Sequence, residues 1–152
     1  MQTEETFDPN SIDYTGIEPG ADFEYRAVKD TTADLEIDEV VLEIDNKSRQ
    51  VIRVRAGIKS PVEFVYEPGD ELLDPATFRA KSVYERFYFH TPKAIPIFAK
   101  FLERLGFQWA DYVNSPNKKG YVESLKGIAF KAVVVYNADF KSNEIKKILK
   151  VS

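Results

Sequence analysis

Apolar and polar residues alternate along most of this chain, and one stretch near its middle switches to helical spacing. Phe23, Tyr25 and Ala27 alternate with Glu24, Arg26 and Val28, the pattern of a half-buried strand. Leu35-Glu36-Ile37 and Val40-Val41-Leu42-Glu43-Ile44 alternate as well, but the apolar parity shifts at Asp38-Glu39. That shift predicts a bulge or two short strands. Asp45-Asn46-Lys47-Ser48 has turn composition. The following segment sets Ile52 and Val54 on one face and Arg53 and Arg55 on the other. Residues 62–66 read as a further strand, and Pro68-Gly69 and Asp74-Pro75 mark a long loop with an acidic cluster at Asp70, Glu71 and Asp74.

Residues 83–90 alternate again. Thr91-Pro92 supplies a capping hydroxyl and a first-turn proline, and Ile95, Phe98, Leu102 and Leu105 follow at helical spacing with Phe101 beside them. Lys100, Glu103 and Arg104 take the outer side, and Gly106 is a natural stop. Pro96 means either that the regular helix starts there or that its first turn is distorted. Residues 109–117 read as irregular. Ile128, Phe130, Ala132, Val134 and Tyr136 then alternate with residues that are themselves mostly apolar, which predicts burial on both faces or a barrel interior. Asn137-Ala138-Asp139 makes a turn into a lysine-rich last strand over 143–151.

Strands, one main helix, then two strands is the order of a mostly β, five-stranded Greek-key barrel, the OB-fold, here with extended loops. Residues 21–152 would form that single domain. Residues 1–20 hold five acids and no base, broken by Pro9, Gly16, Pro19 and Gly20. They read as an acidic arm that is flexible or lies across the surface.

Charge sharpens this picture. Residues 1–76 carry 19 Asp/Glu against 7 Lys/Arg, and residues 77–152 carry 6 against 14, so a net charge of −4 conceals a basic C-terminal half. A local basic field attracts polyanions. The best surface for one starts at Tyr84, Arg86 and Tyr88, which share a strand face with His90. Rings between cations suit single-stranded nucleic acid, with bases on the rings and phosphates on the cations. Arg53 and Arg55 add a second cationic row if their strand is the neighbour, and Lys131, Lys146 and Lys147 extend it. The competing reading has the tyrosines half-packed under a loop and the arginines paired with acids.

Composition removes several chemistries. Cysteine is absent and His90 is the only histidine, so there is no thiol nucleophile, disulfide or His pair, and no metal site or cofactor is expected. No phosphate-binding glycine loop, dinucleotide glycine pattern or serine-hydrolase elbow occurs. Asp139 with Glu144-Ile145-Lys146 has a loose acid…Glu-x-Lys spacing of metal-dependent nucleases, which keeps an enzyme as the third reading. Trp109 and Tyr112 are either buried anchors or a further stacking pair. With no basic leader followed by an apolar run and no membrane-length apolar segment, a soluble, cytoplasmic protein is expected.

On these residues the chain resembles the phage-type single-stranded DNA-binding proteins with an OB-fold core. The likeness runs from about 21 to 151. It lies in Arg86-Phe87-Tyr88-Phe89 with the helix that follows, in Leu125-Lys126-Gly127 entering a strand, and in the final strand. The resemblance implies coating of single strands in replication or recombination, without a cofactor, often as a dimer, alongside other replication or recombination proteins. Many relatives end in an acidic tail, whereas this chain ends Lys147-Ile148-Leu149-Lys150-Val151-Ser152 and has its acids at the front. The alternative from another class is a structural or protein-interaction module of a phage or other multi-subunit assembly.

Overall fold

Strand Thr31–Ile44 (β2) is long enough to serve two partners, and the fold is arranged around it. The computed structural model describes residues 6–20 and 22–152. Before β2 comes a short strand, Glu24–Arg26 (β1), and after it Gln50–Ile58 (β3), Phe78–Ala80 (β4) and Val83–Tyr88 (β5). Helices Ile95–Arg104 (α1), Trp109–Val113 (α2) and Lys118–Glu123 (α3) precede Ala129–Asn137 (β6) and Ser142–Val151 (β7). The main sheet has the order β5-β3-β2-β6-β7, antiparallel at every pairing. The first half of β2 pairs with β6 from Thr31 to Glu36, and the second half pairs with β3 from Leu35 to Ile44.

The predicted bulge is present, with the register slipping between Ile37 and Glu39. It lets Leu35 and Ile37 face inward on one side of the irregularity while Glu39 and Val41 face outward on the other. The turn after β2 is held by Asp45, whose Oδ1 accepts the N–H groups of Lys47 and Arg49, with Ser48 at φ 61°. Inside, Ala33, Ala56 and Ala132 are buried beside Leu35, Val54 and Phe130. Small side chains at these positions let a strongly curled sheet close around its own interior. Helix α1 seals the interior with Phe98 and Leu102, both fully buried, and Phe98 lies 5.3 Å from the Phe87 ring. Pro96 sits in the first turn of α1, where its missing N–H costs nothing, and Gly106 at φ 91° ends the helix.

Several expectations change. Residues 109–117 are irregular only from 114 on: α2 occupies 109–113, and Trp109 stacks on Tyr112 at 5.0 Å. Both rings abut Phe98, so they are anchors rather than a free stacking pair. Residues 62–66 form no strand; Phe64 makes a single bridge to Val28. The segment 23–28 yields only β1, which pairs in parallel with β4 and stays outside the main sheet. Within the long loop, Asp70 is buried, bonds Arg26 at 2.7 Å and accepts the Glu67 N–H. The described part of the acidic arm, 6–20, is exposed throughout, with one 3-10 turn at Pro9–Ser11 capped by Asp8. Among the described residues, no helix is long and apolar enough to cross a membrane.

The sheet curls until its edges, β5 and β7, lie side by side and run in the same direction, yet it does not close. No ladder joins them among the described residues. Instead the Ile145 N–H donates to Glu85 Oε1 at 3.3 Å, so a side chain stands where a backbone acceptor would complete a barrel. A closed five-stranded barrel is therefore not formed.

One buried side chain stitches the N-terminal segment to β7. Asn143 accepts the Val28 N–H and donates to the Val28 carbonyl, both at 2.8 Å. Asn143→Ala is expected to leave two buried backbone groups unsatisfied and to lower unfolding free energy by about 2–4 kcal/mol. Urea denaturation checks this, with exposed Lys150→Ala as a control expected within about 0.5 kcal/mol of the parent.

Candidate nucleic-acid interface

Antiparallel pairing of β3 with β5 places Arg53 opposite Arg86, Arg55 opposite Tyr84 and Val51 opposite Tyr88. Directly opposed residues share a sheet face, so Arg53, Arg55, Tyr84, Arg86 and Tyr88 all point outward, away from Val83 and Phe87 in the core. Tyr84 is 42% exposed. Its ring lies 5.8 Å from the Arg86 guanidinium and 5.9 Å from that of Arg53, so one aromatic ring neighbours two cations. Tyr88 is half-buried, with Arg49 stacked over it at 4.5 Å and His90 edge-on at 5.9 Å.

The two cation rows differ in their electrostatics. On the neighbouring β2, Glu39 stands opposite Arg55, and Asp38 occupies the bulge. Arg55 Nε bonds Asp38 at 2.6 Å, a second guanidinium nitrogen meets Glu39 at 3.1 Å, and Arg53 reaches the same carboxylate at 3.4 Å. The bond to Asp38 is the main cause that raises Arg55 above its usual pKa. The β3 arginines are thus held by acids, as the competing reading of the sequence required. Arg86 is different. Among the described residues, no carboxylate lies within ion-pair distance of it.

The lysines divide. Lys131 on β6 faces Asp34 across the β2–β6 pairing at 3.8 Å and stands opposite Lys150, two strands away from β3. The outward acids of β2 lie between it and the arginines, so it does not join their surface. Lys147 faces outward opposite Val133, and Lys146 is the extra residue at a register shift in β7. Because β7 lies beside β5, these two approach the tyrosine strand from its other side. They line a cleft of about 200 Å³ between β5, β7 and α1. The acid…Glu-x-Lys trio does not assemble a cage: Glu144 accepts from Asn137 at 2.9 Å, and no group of three His, Asp or Glu able to hold a metal ion occurs among the described residues.

Sequence reasoning missed Arg49, which was hidden in the turn. The clue is the register, because pairing residue 51 with residue 88 brings the end of the hairpin over Tyr88. Glu85 was also passed over. Burial is the main cause that raises its carboxyl above the ordinary range, Glu144 adds to this, and the Ile145 N–H opposes it. No protein-family model matches this chain, and no curated protein matches it significantly.

A raised folded-state pKa means that ionised Glu85 costs the fold stability. That cost is absent at low pH, where folded and unfolded forms are both protonated, and it appears as pH rises through the unfolded and then the folded value. Glu85→Gln keeps an acceptor for Ile145 without the charge. The variant is expected to melt above the parent at about pH 8, with the gap closing as pH falls to about 4.3, the ordinary glutamate value. Thermal melts across that range check the sign.

Proposed function

We propose that this chain is a non-catalytic binder of single-stranded DNA with little sequence preference, built on an OB-like barrel whose last seam is side-chain mediated. The strand order supports the fold reading: with α1–α3 inserted between β5 and β6, a sheet ordered β5-β3-β2-β6-β7 has the connectivity of that barrel. Such barrels bind across their middle strands, here β3 and β5.

One observation carries the functional reading. Arg53 and Arg86 stand directly opposite each other on an exposed face, with one exposed tyrosine ring within 6 Å of both guanidinium groups. Like charges directly opposite destabilise a sheet. A bound phosphate reverses that cost, while Tyr84 offers a base a stacking surface. Lys146 and Lys147 extend the path past β5, and Asp38 and Glu39 act as a brake by competing for the β3 arginines. A role in replication or recombination, which the resemblance to phage-type single-stranded DNA-binding proteins implies, is part of the same proposal.

Fluorescence anisotropy with a labelled oligonucleotide tests it. If Arg53, Arg55, Arg86, Lys146 and Lys147 each neutralise one phosphate, log affinity falls against log salt with a slope near about −3.5. Tyr84→Ala is expected to weaken binding by about 1–3 kcal/mol, whereas Lys131→Ala leaves it unchanged. Glu39→Gln is expected to tighten binding about two- to fivefold, since exposed ion pairs contribute about 0.2–1 kcal/mol each. Absence of binding at low salt rejects the proposal.

A further inference from the structure

The exposed arm and the seam cleft are complementary, and we propose that the arm of one copy docks in the β5–β7–α1 cleft of a second copy, giving a reciprocal dimer. The arm repeats a simple unit: an apolar residue followed by an acid, at Phe7-Asp8, Ile12-Asp13 and Ile17-Glu18. Phe7 is 76% exposed and Ile17 69%, and Ile12 and Tyr14 are exposed too. Four large apolar side chains on a cation-free segment need a cover that is greasy at its floor and positive at its rim.

The cleft between β5, β7 and α1 has that composition. Phe101 and Ile148 form apolar walls and Ile97, 64% exposed, stands at its mouth, while Arg104, Lys146 and Lys147 supply the charge. None of these three cations has a carboxylate within ion-pair distance among the described residues. Glu85, the one acid lining the cleft among the described residues, is occupied by the Ile145 N–H. The larger groove under the β2–β3 hairpin, about 390 Å³, fits worse, because among the described residues its only charged lining residue is Glu43.

The geometry favours a second copy as the source of the arm. In the single chain, residues 6–20 are exposed from end to end, so the arm does not fold back over its own cleft. The 15 peptide steps from Phe7 to Asp22 reach about 50 Å when extended, enough to cross to a neighbour. In a closed two-fold pair each docking contact is made twice, which doubles the small area that one arm buries. This dimer does not depend on nucleic-acid binding, and its test contains no oligonucleotide.

Sedimentation velocity on the full chain, from about 1 to 100 μM, reads the outcome. The span brackets the micromolar range, where a modest interface of this kind would associate. At low salt a dimer is expected, shifting to monomer at about 1 M salt, where screening is nearly complete. Lys146→Glu with Lys147→Glu is expected to give monomer, as is Asp8→Lys with Asp13→Lys and Glu18→Lys. Combining the two sets in one chain restores the dimer, and thermal melts confirm that each variant is folded. A parent chain that stays monomeric at the highest concentration overturns the proposal, including the case in which its arm packs on its own cleft. So does a dimer that persists when the arm charges are reversed.

Discussion

The central constraint on this molecule is that one strand, β2, must satisfy β6 with its first half and β3 with its second. A straight fourteen-residue strand spans about 47 Å at the usual rise per residue, too long to sit in one small curled sheet. The slip at Ile37–Glu39 resolves this by bending the strand where it changes partner. Leu35 and Ile37 then enter the interior beneath α1, and Asp38 and Glu39 are turned out against the arginines of β3. Core packing and surface electrostatics therefore originate in the same backbone irregularity.

That coupling shapes the proposed interface. Arg53 and Arg55 are presented by β3, but β2 supplies the carboxylates that restrain them. Arg86, on the far side of β3 from those acids, meets no carboxylate within ion-pair distance among the described residues. The surface is thus graded, with tethered cations beside β2, an open cation and ring on β5, and lysines beyond the seam on β7. On the proposed interface, a phosphate at Arg53 or Arg55 competes with an acid already in place, whereas one at Arg86 meets no such competitor among the described residues.

The seam deserves separate weight because its edges have no ladder. Glu85 satisfies one amide of β7 at the cost of a carboxylate held where burial disfavours its charge. The unclosed edges leave a cleft open to solvent, with apolar walls and a positive rim, at the place where a closed barrel would have none. Lys146 and Lys147 on the rim of that cleft are shared by the proposed nucleic-acid path and the docking surface proposed for the arm.

Alternation and helical spacing were enough to place β2 with its bulge, the turn at Asp45, β3, β5, α1, β6 and β7, because each has a periodicity that burial enforces locally. The outward parity of Arg53, Arg55, Tyr84, Arg86 and Tyr88 was legible for the same reason, since side chains alternate strictly along a strand. Sequence could not show α2, where Trp109 and Tyr112 are ordered by Phe98 from another helix, nor that residues 62–66 join the β structure through a single bridge to Val28. It also could not assign partners to the cations. Which acid meets Arg55, why Arg86 meets none and why Lys131 stands apart depend on strand order and register. Periodicity is a property of neighbours along the chain, whereas charge pairing is a property of neighbours in space, and only the folded sheet decides the latter.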